Sequence, residues 1–267
     1  MATYSYSKLA TFKRCPYQYK LSYLDKLKTG IENIEAFLGS RFHDLMEEIF
    51  SGGKEKDYFL EELIARFQVL WKEKWHAQIR ILDGSKSVED YLRYGEQCVK
   101  NFYEVYLAPG TGFSAKTLGV EIRIEFPIDQ QKKNKMIGYL DRISEAADGT
   151  VEIQDYKTSI TLPEEEELSR NRQLAIYQMG LLSAWKKDGK QPLPIRLVLH
   201  YVGHSKTFSF PGRSQEELVA LLDEIRGEIG ALEREVLFPA RVSPDCKWCS
   251  YQDMCSAYQA SRKAQDV

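Results

Sequence analysis

The sequence predicts an α/β fold, and three observations carry that expectation. Apolar residues repeat at helical spacing over about the first 110 positions. From Val120 they alternate instead, and a further helical pattern then separates one group of strands from a second. In chain order, Ser7 caps a helix through Arg14, Pro16 opens another, and Tyr17, Leu21 and Leu24 keep helical spacing to about Asp25. Residues 34–50 form a third helix with Phe37, Phe42, Leu45, Met46, Ile49 and Phe50 as its apolar stripe, stopped by Ser51-Gly52-Gly53. Two longer helical patterns, over about 57–79 and 87–107, end at Pro109-Gly110. Val120, Ile122, Ile124 and Phe126 alternate with Glu121, Arg123 and Glu125 as a half-buried strand, and strands over 135–144 and 150–156 flank an Asp148-Gly149 turn. A helix over about 163–187 turns Leu174, Tyr177, Leu181, Leu182 and Trp185 inward. Strands at 195–202 and 207–210 are joined by Gly203-His204-Ser205-Lys206, and a last helix over about 214–236 leads to a cysteine-rich tail. No repeat or polar linker divides the chain. The expectation is one domain over 1–267, with a helical block at 1–110, a sheet core at 115–212, and a helix with the tail at 213–267.

Composition bounds the function. A chain of 267 residues buries enough surface to hold a core without staples. With 43 % hydrophobic and 28 % charged residues it is neither disordered nor low in complexity. No apolar run is long enough to span a membrane, and Met1-Ala2-Thr3-Tyr4-Ser5-Tyr6 has no secretion-signal pattern, so the expected compartment is cytoplasmic. The net charge of −2 gives no global basic field. Any nucleic-acid surface must then be local, and Lys132, Lys133 and Lys135 are the candidate rim. Lys186, Lys187 and Lys190 read as a solvated helix end.

Five cysteines, an odd number, argue against a disulfide framework. Cys246, Cys249 and Cys255 form a C-x2-C-x5-C cluster that offers three soft ligands where a metal centre takes about four. Cys98 falls in an amphipathic helical stretch, where cysteine is usually a small core residue. Cys15, before Pro16 at a break between helices, is the expected fourth ligand. Spacing alone leaves zinc and an iron–sulfur cluster both open.

Asp141 lies in Gly138-Tyr139-Leu140-Asp141-Arg142, and Asp155 in Gln154-Asp155-Tyr156-Lys157-Thr158. Antiparallel pairing about Gly149 sets these acids on neighbouring positions, and Asp155 and Lys157, two apart, share a strand face. Two carboxylates beside a lysine suit metal-assisted phosphodiester hydrolysis: oxygen ligands hold Mg²⁺, and the ammonium orients water or offsets phosphate charge.

Six motifs in order give this reading its context: Tyr4-Ser5-Tyr6-Ser7-Lys8-Leu9 through Cys15-Pro16, Gly39-Ser40-Arg41-Phe42-His43, Gly138-x-x-Asp141-Arg142, Asp155-Tyr156-Lys157-Thr158, Gln173-Leu-Ala-Ile-Tyr177 and the cysteine tail. The chain resembles the PD-(D/E)XK nuclease superfamily, in its RecB-like branch with an iron–sulfur cluster, which includes AddB-type and CRISPR-adaptation nucleases. The resemblance implies a restriction-endonuclease-like core, a central mixed sheet flanked by helices, with an N-terminal helical block and an Fe–S tail. It implies that His43, Asp141, Asp155 and the Tyr156 carbonyl hold Mg²⁺ or Mn²⁺, that Lys157 positions water, and that Gln173 and Tyr177 line the wall. It implies that Cys15, Cys246, Cys249 and Cys255 hold a [4Fe–4S] cluster. Glu121 is a candidate beyond the metal ligands, and Glu164–Glu167 should face away from the groove. His76, His200 and His204 are assigned no role.

The function these features imply is a metal-dependent deoxyribonuclease, an exonuclease on single-stranded DNA or ends, in recombination and repair or CRISPR spacer acquisition. The chain lacks a Gly-x-x-x-x-Gly-Lys-[Ser/Thr] loop, so unwinding would fall to a helicase partner, and CRISPR adaptation proteins are the other expected partners. The competing reading is a catalytically silent Fe–S or Zn scaffold subunit. The intact set His43, Asp141, Asp155 and Lys157 speaks against it.

Overall fold

The computed structural model describes residues 2–51, 58–82, 84–109, 111, 115–129, 131 and 133–263. Gly52-Gly53, Gly110 and Lys132 therefore lie outside the described residues. The chain opens with β1 (Ala2–Tyr4), α1 (Tyr6–Arg14) and α2 (Pro16–Tyr19), which ends in a wider turn over Lys20–Leu24. The helical block follows as β2 (Glu32–Asn33), α3 (Ile34–Ser51), α4 (Leu60–Lys74), β3 (Ile79–Arg80) and α5 (Val88–Phe102). The core is β4 (Lys116–Pro127), β5 (Asn134–Glu145), β6 (Val151–Lys157), α6 (Glu165–Ser169), α7 (Arg172–Lys187), β7 (Ile195–Tyr201) and β8 (Lys206–Pro211). α8 (Gln215–Arg234) and α9 (Ser256–Lys263) bracket the cysteine tail.

The main sheet has six strands and is mixed. β5–β6 and β7–β8 pair antiparallel, β6–β7 parallel, and β4 pairs antiparallel along the other edge of β5. The parallel step needs a crossover, which α6 and α7 supply. α7 comes close to the sheet because Gly180 and Gly138 lack side chains: a Cβ at Gly180 would meet Ile124 at 2.3 Å, and one at Gly138 the Tyr177 ring at 2.7 Å. Two apolar cores result. One joins the sheet to α1, α7 and α8, and the other packs α3, α4 and α5 against Tyr156 and Val202. Among the described residues, no helix is long and apolar enough to cross a membrane.

Four local expectations need correction. The first helix is capped by Ser5, whose hydroxyl accepts from Lys8 N–H at 3.2 Å, while Ser7 sits inside the first turn. The helix expected over 163–187 is two: Asn171 caps α7 by accepting from Leu174 N–H at 2.9 Å, and that cap breaks the chain direction at Arg170. The first residues are not part of the helical block. Ala2–Tyr4 pairs parallel with β5, and Tyr4, Leu9 and Tyr19 belong to the sheet core. Finally, alternation along β4 holds at Ile124 and Phe126 but leaves Ile122 exposed, because Glu121 adopts φ +48° and breaks the pleat.

Candidate active site

The site lies where β5 and β6 part. Their ladder runs from Glu145–Val151 to Arg142–Gln154 and stops one position short of Asp141 and Asp155. β1 holds the same edge of β5 further back, at Asn134–Met136, so among the described residues the stretch 137–141 has no strand partner on that side. Asp141 takes the ladder's place: its Oδ2 accepts from Tyr156 N–H at 2.9 Å. On the other edge, the pairs Val120–Arg142 and Ile122–Leu140 set Glu121 opposite Asp141. Three carboxylates thus lie in a row across three strands.

α3 brings the fourth group. His43 Nε2 lies 3.0 Å from the Tyr156 carbonyl and Nδ1 3.5 Å from Asp141 Oδ2. A carbonyl can only accept, so Nε2 carries a proton in this contact, and Nδ1 faces the Asp141 carboxylate. Ligand atoms of His43, Glu121 and Asp141 all lie within 4.8 Å of one another, in a cleft of about 470 Å³. Asp155 is turned elsewhere: its Oδ2 meets Lys157 Nζ at 2.6 Å. The expected ligand set is therefore only partly gathered. His43, Asp141 and the Tyr156 carbonyl converge, Asp155 pairs with the lysine, and Glu121 joins the group that could hold an ion.

Lys157 also donates to Gln173 Oε1 at 3.3 Å, and Gln173 Nε2 donates to the Tyr177 hydroxyl oxygen at 2.7 Å. An ammonium has no lone pair, which fixes the amide's orientation and leaves the Tyr177 proton for another acceptor. Burial pushes Tyr177 up to about 12, so it stays protonated at neutral pH. Burial alone would depress Lys157, but the Asp155 carboxylate outweighs it and holds the ammonium charged. Burial, then the Asp155 charge, push Asp141 well above the usual carboxylate range. Burial also raises Glu121, with His43 opposing and Glu47 and Asp44 adding to the shift. Glu164–Glu167 are exposed, and their short helix is anchored by Leu168.

These directions set a pH dependence. Without a cation, the folded state binds more protons at Asp141 and Glu121 than the unfolded chain does. Stability should therefore fall as pH rises from the ordinary carboxylate range into the raised one. A divalent cation replaces those protons and should reverse the trend. Melting scans in EDTA and in Mn²⁺ from pH 4.5 to 8 check this: the Mn²⁺-induced rise in Tm is expected to grow with pH.

A second cluster lies at the chain ends. Cys15, Cys246, Cys249 and Cys255 line one small cavity of about 30 Å³ between α2 and the tail. Cys15 Sγ accepts from the Gln18 and Arg241 amides at 3.5 Å, and Cys246 Sγ from the Ser243 amide at 3.4 Å, contacts suited to thiolate sulfur. Burial, with the three other sulfurs adding, raises the Cys249 thiol. Cys98 is fully buried in α5, remote in its packing from this group.

Glu121 is the residue that alternation misplaced. The pairing rule applied to Asp141 and Asp155 reaches it when applied to the β4–β5 hairpin as well. No curated protein matches the chain. A solved structure described as "Crystal structure of SSO0001" aligns at 16 % identity over 82 % of this chain and 95 % of its own, with a TM-score of 0.36. The family model of the PD-(D/E)XK nuclease superfamily matches residues 3–256, and the chain belongs to that superfamily.

Proposed function

We propose that this protein is a metal-dependent deoxyribonuclease that cuts single-stranded DNA or DNA ends, acting as an exonuclease in recombination and repair or in CRISPR spacer acquisition. The observation that carries the reading is the fork of β5 and β6. It leaves Asp141 under His43 and opposite Glu121 of β4, with Asp155 at the next strand position, paired to a charged lysine. The gathered donors fit Mg²⁺ or Mn²⁺: the Glu121 and Asp141 carboxylates, one imidazole nitrogen and a carbonyl, mostly hard oxygen ligands, with Asp155 beside them and paired to Lys157. A cation bound there would polarise the scissile phosphate and acidify a water.

The chain's own groups do the rest. Lys157, kept cationic by Asp155, is not a base; it offsets negative charge developing on phosphate or orients the attacking water. Gln173 holds Lys157 on one side and Tyr177 on the other, so the two side chains move little relative to each other. Tyr177 O–H, its oxygen already accepting from Gln173, is free to donate to a phosphate oxygen. We assign Cys15, Cys246, Cys249 and Cys255 to a [4Fe–4S] cluster, for which four cysteines lining one cavity, with amide donors to Cys15 and Cys246, are suited. With all four iron corners ligated, such a cluster would tie the ends of the chain together and leave hydrolysis to the sheet.

The test is anaerobic incubation of end-labelled single-stranded and duplex DNA with Mg²⁺, Mn²⁺, Ca²⁺ or EDTA. Cleavage with Mg²⁺ or Mn²⁺ is expected, with release of label from one end. Ca²⁺ should support binding without turnover, because its looser shell misplaces the water. Cleavage undiminished in EDTA overturns the reading.

Affinity should also fall steeply with salt despite the acidic balance, with a log–log slope of about −0.7 for each phosphate contacted on a single strand. Of the Lys132–Lys135 rim, Lys135 is ion-paired to Glu125 at 2.7 Å, and Lys132 lies outside the described residues. Fluorescence titrations between 50 and 300 mM salt would measure the slope, and a flat response argues against a nucleic-acid substrate.

A further inference from the structure

A second cavity, of about 420 Å³, borders the metal cleft. The two meet at one thin wall. Gly39 lines the metal cleft and Thr158 lines the second cavity, and a Cβ on Gly39 would stand 3.3 Å from Thr158 Oγ1. The neighbours Glu35 and Ala36 on α3 face the second cavity and the metal cleft respectively. The missing side chain at Gly39 lets α3 pack closely on the loop after Lys157, so the wall that a strand must pass over between the cleft and the second cavity is thin.

The second cavity is walled by Leu38, Tyr94 and Ile160, with Trp248 arriving from the cysteine tail and Glu35 and Lys86 as its charged members. Trp248 is 36 % exposed, and its carbonyl is fixed by Asn33 Nδ2 at 2.9 Å. Tyr94 O–H donates to the Ser159 carbonyl at 3.2 Å, which holds that ring against the loop following Lys157. Glu35 is half satisfied. Its Oε1 accepts from Tyr91 O–H at 2.6 Å, while Oε2 is shielded from solvent and has no partner. A shielded carboxylate oxygen without a donor is costly, and a side-chain rotation that turns it into the cavity toward a ligand's N–H relieves that cost.

We infer that this cavity seats one unpaired nucleobase of the strand being cut, stacked against Trp248 and Tyr94 and read by Glu35 through an exocyclic amine. The inference rests on the nuclease reading above and names part of its substrate specificity. Aromatic rings stack on the face of any base. A carboxylate acceptor favours a base with an amino group, such as cytosine, over thymine. Lys86, whose Nζ lies 5.6 Å from the centre of the Tyr91 ring, adds positive charge to the cavity lining. The wall that carries Trp248 lies between Cys246 and Cys249, so an ordered cysteine tail is part of the base site.

The experiment walks a single modified residue along a labelled oligothymidine. Cytosine, 2-aminopurine or an abasic residue is placed at successive positions, and both cleavage in Mn²⁺ and 2-aminopurine fluorescence in Ca²⁺ are read. At one fixed distance from the cut, an abasic residue should slow cleavage by roughly tenfold, the scale of one lost stacking contact. Cytosine there should speed cleavage, and 2-aminopurine should be quenched. Glu35→Gln should erase the cytosine-over-thymine preference. Trp248→Ala should remove the quenching and the abasic penalty, and Trp248→Phe should restore both. Cleavage with no dependence on register overturns the base site and leaves the nuclease reading intact. Register-specific quenching on a strand that is never cut upholds the base site and overturns the nuclease reading. A cytosine preference that survives Glu35→Gln overturns the role given to Glu35.

Discussion

Asp155→Ala is expected to lower metal-dependent cleavage by about a hundred- to a thousandfold, the scale on which a lost electrostatic contact to a transition state is felt. Asp155 is 1 % exposed and stands at the mouth of the β5–β6 fork, next to Asp141 and ion-paired with Lys157. Removing it takes a carboxylate from the cation's surroundings and frees Lys157 from its anchor. The effect on stability has two opposing parts. An unpaired ammonium that is half-buried and still held by Gln173 costs less than the roughly 3–5 kcal/mol of a fully buried one, and loss of a carboxylate that repels Asp141 returns some of it. A net fall of roughly 3–10 °C in Tm follows for a chain of this size. Asp155→Asn separates the two effects, because its amide oxygen still accepts from Lys157. It should cut as poorly as alanine and melt closer to wild type. Single-turnover cleavage of labelled DNA beside circular-dichroism melting makes the comparison, and an alanine variant that cuts at nearly the wild-type rate removes Asp155 from the site.

Asp141 and Asp155 could be placed together from sequence because a tight turn at Gly149 fixes antiparallel register, and register follows from counting outward from the turn. The same logic places Glu121 opposite Asp141, yet alternation along Val120–Phe126 sends it to solvent. Alternation assumes extended backbone throughout. The positive φ at Glu121 is a single-residue exception that periodicity cannot reveal, of the kind strained sites keep because the surrounding structure enforces it. β1 was invisible for another reason. Three residues give no period, and their pairing with β5 is set by tertiary contact alone. His43 was legible through its motif, but the register of α3 over the fork, which brings Nδ1 to 3.5 Å from Asp141, depends on the packing of α3, α4 and α5. The second cavity had no sequence signal, since its walls come from α3, α5, the loop after β6 and the tail.

Cys15→Ala is expected to bleach the visible absorbance of the anaerobically purified protein and to lower its melting temperature, whereas Cys98→Ala should do neither beyond an ordinary core defect of about 1 kcal/mol. Cys15 caps α2 and shares a cavity with Cys246, Cys249 and Cys255, more than 200 positions away. A centre that closes so long a loop restricts the unfolded chain by about 5 kcal/mol in the chain-entropy model. Weaker ties already run between the same segments. Arg241 Nη1 donates to the Lys13 carbonyl at 2.7 Å, Tyr251 O–H to the Leu27 carbonyl at 2.9 Å, and Tyr17 N–H to the Pro239 carbonyl at 3.3 Å. Because α1 and α2 pack into the sheet core, loosening the tail should loosen that core too, and the drop in Tm should appear in the main transition and not as a separate early step. Iron and zinc analysis, absorption spectra and melting curves of the two variants beside wild type decide the matter. Loss of the chromophore from the Cys98 variant and its retention in the Cys15 variant would reverse the choice of fourth ligand. Zinc in place of iron would retire the cluster assignment while leaving the carboxylate fork, which shares no ligand with it, to be judged by cleavage alone.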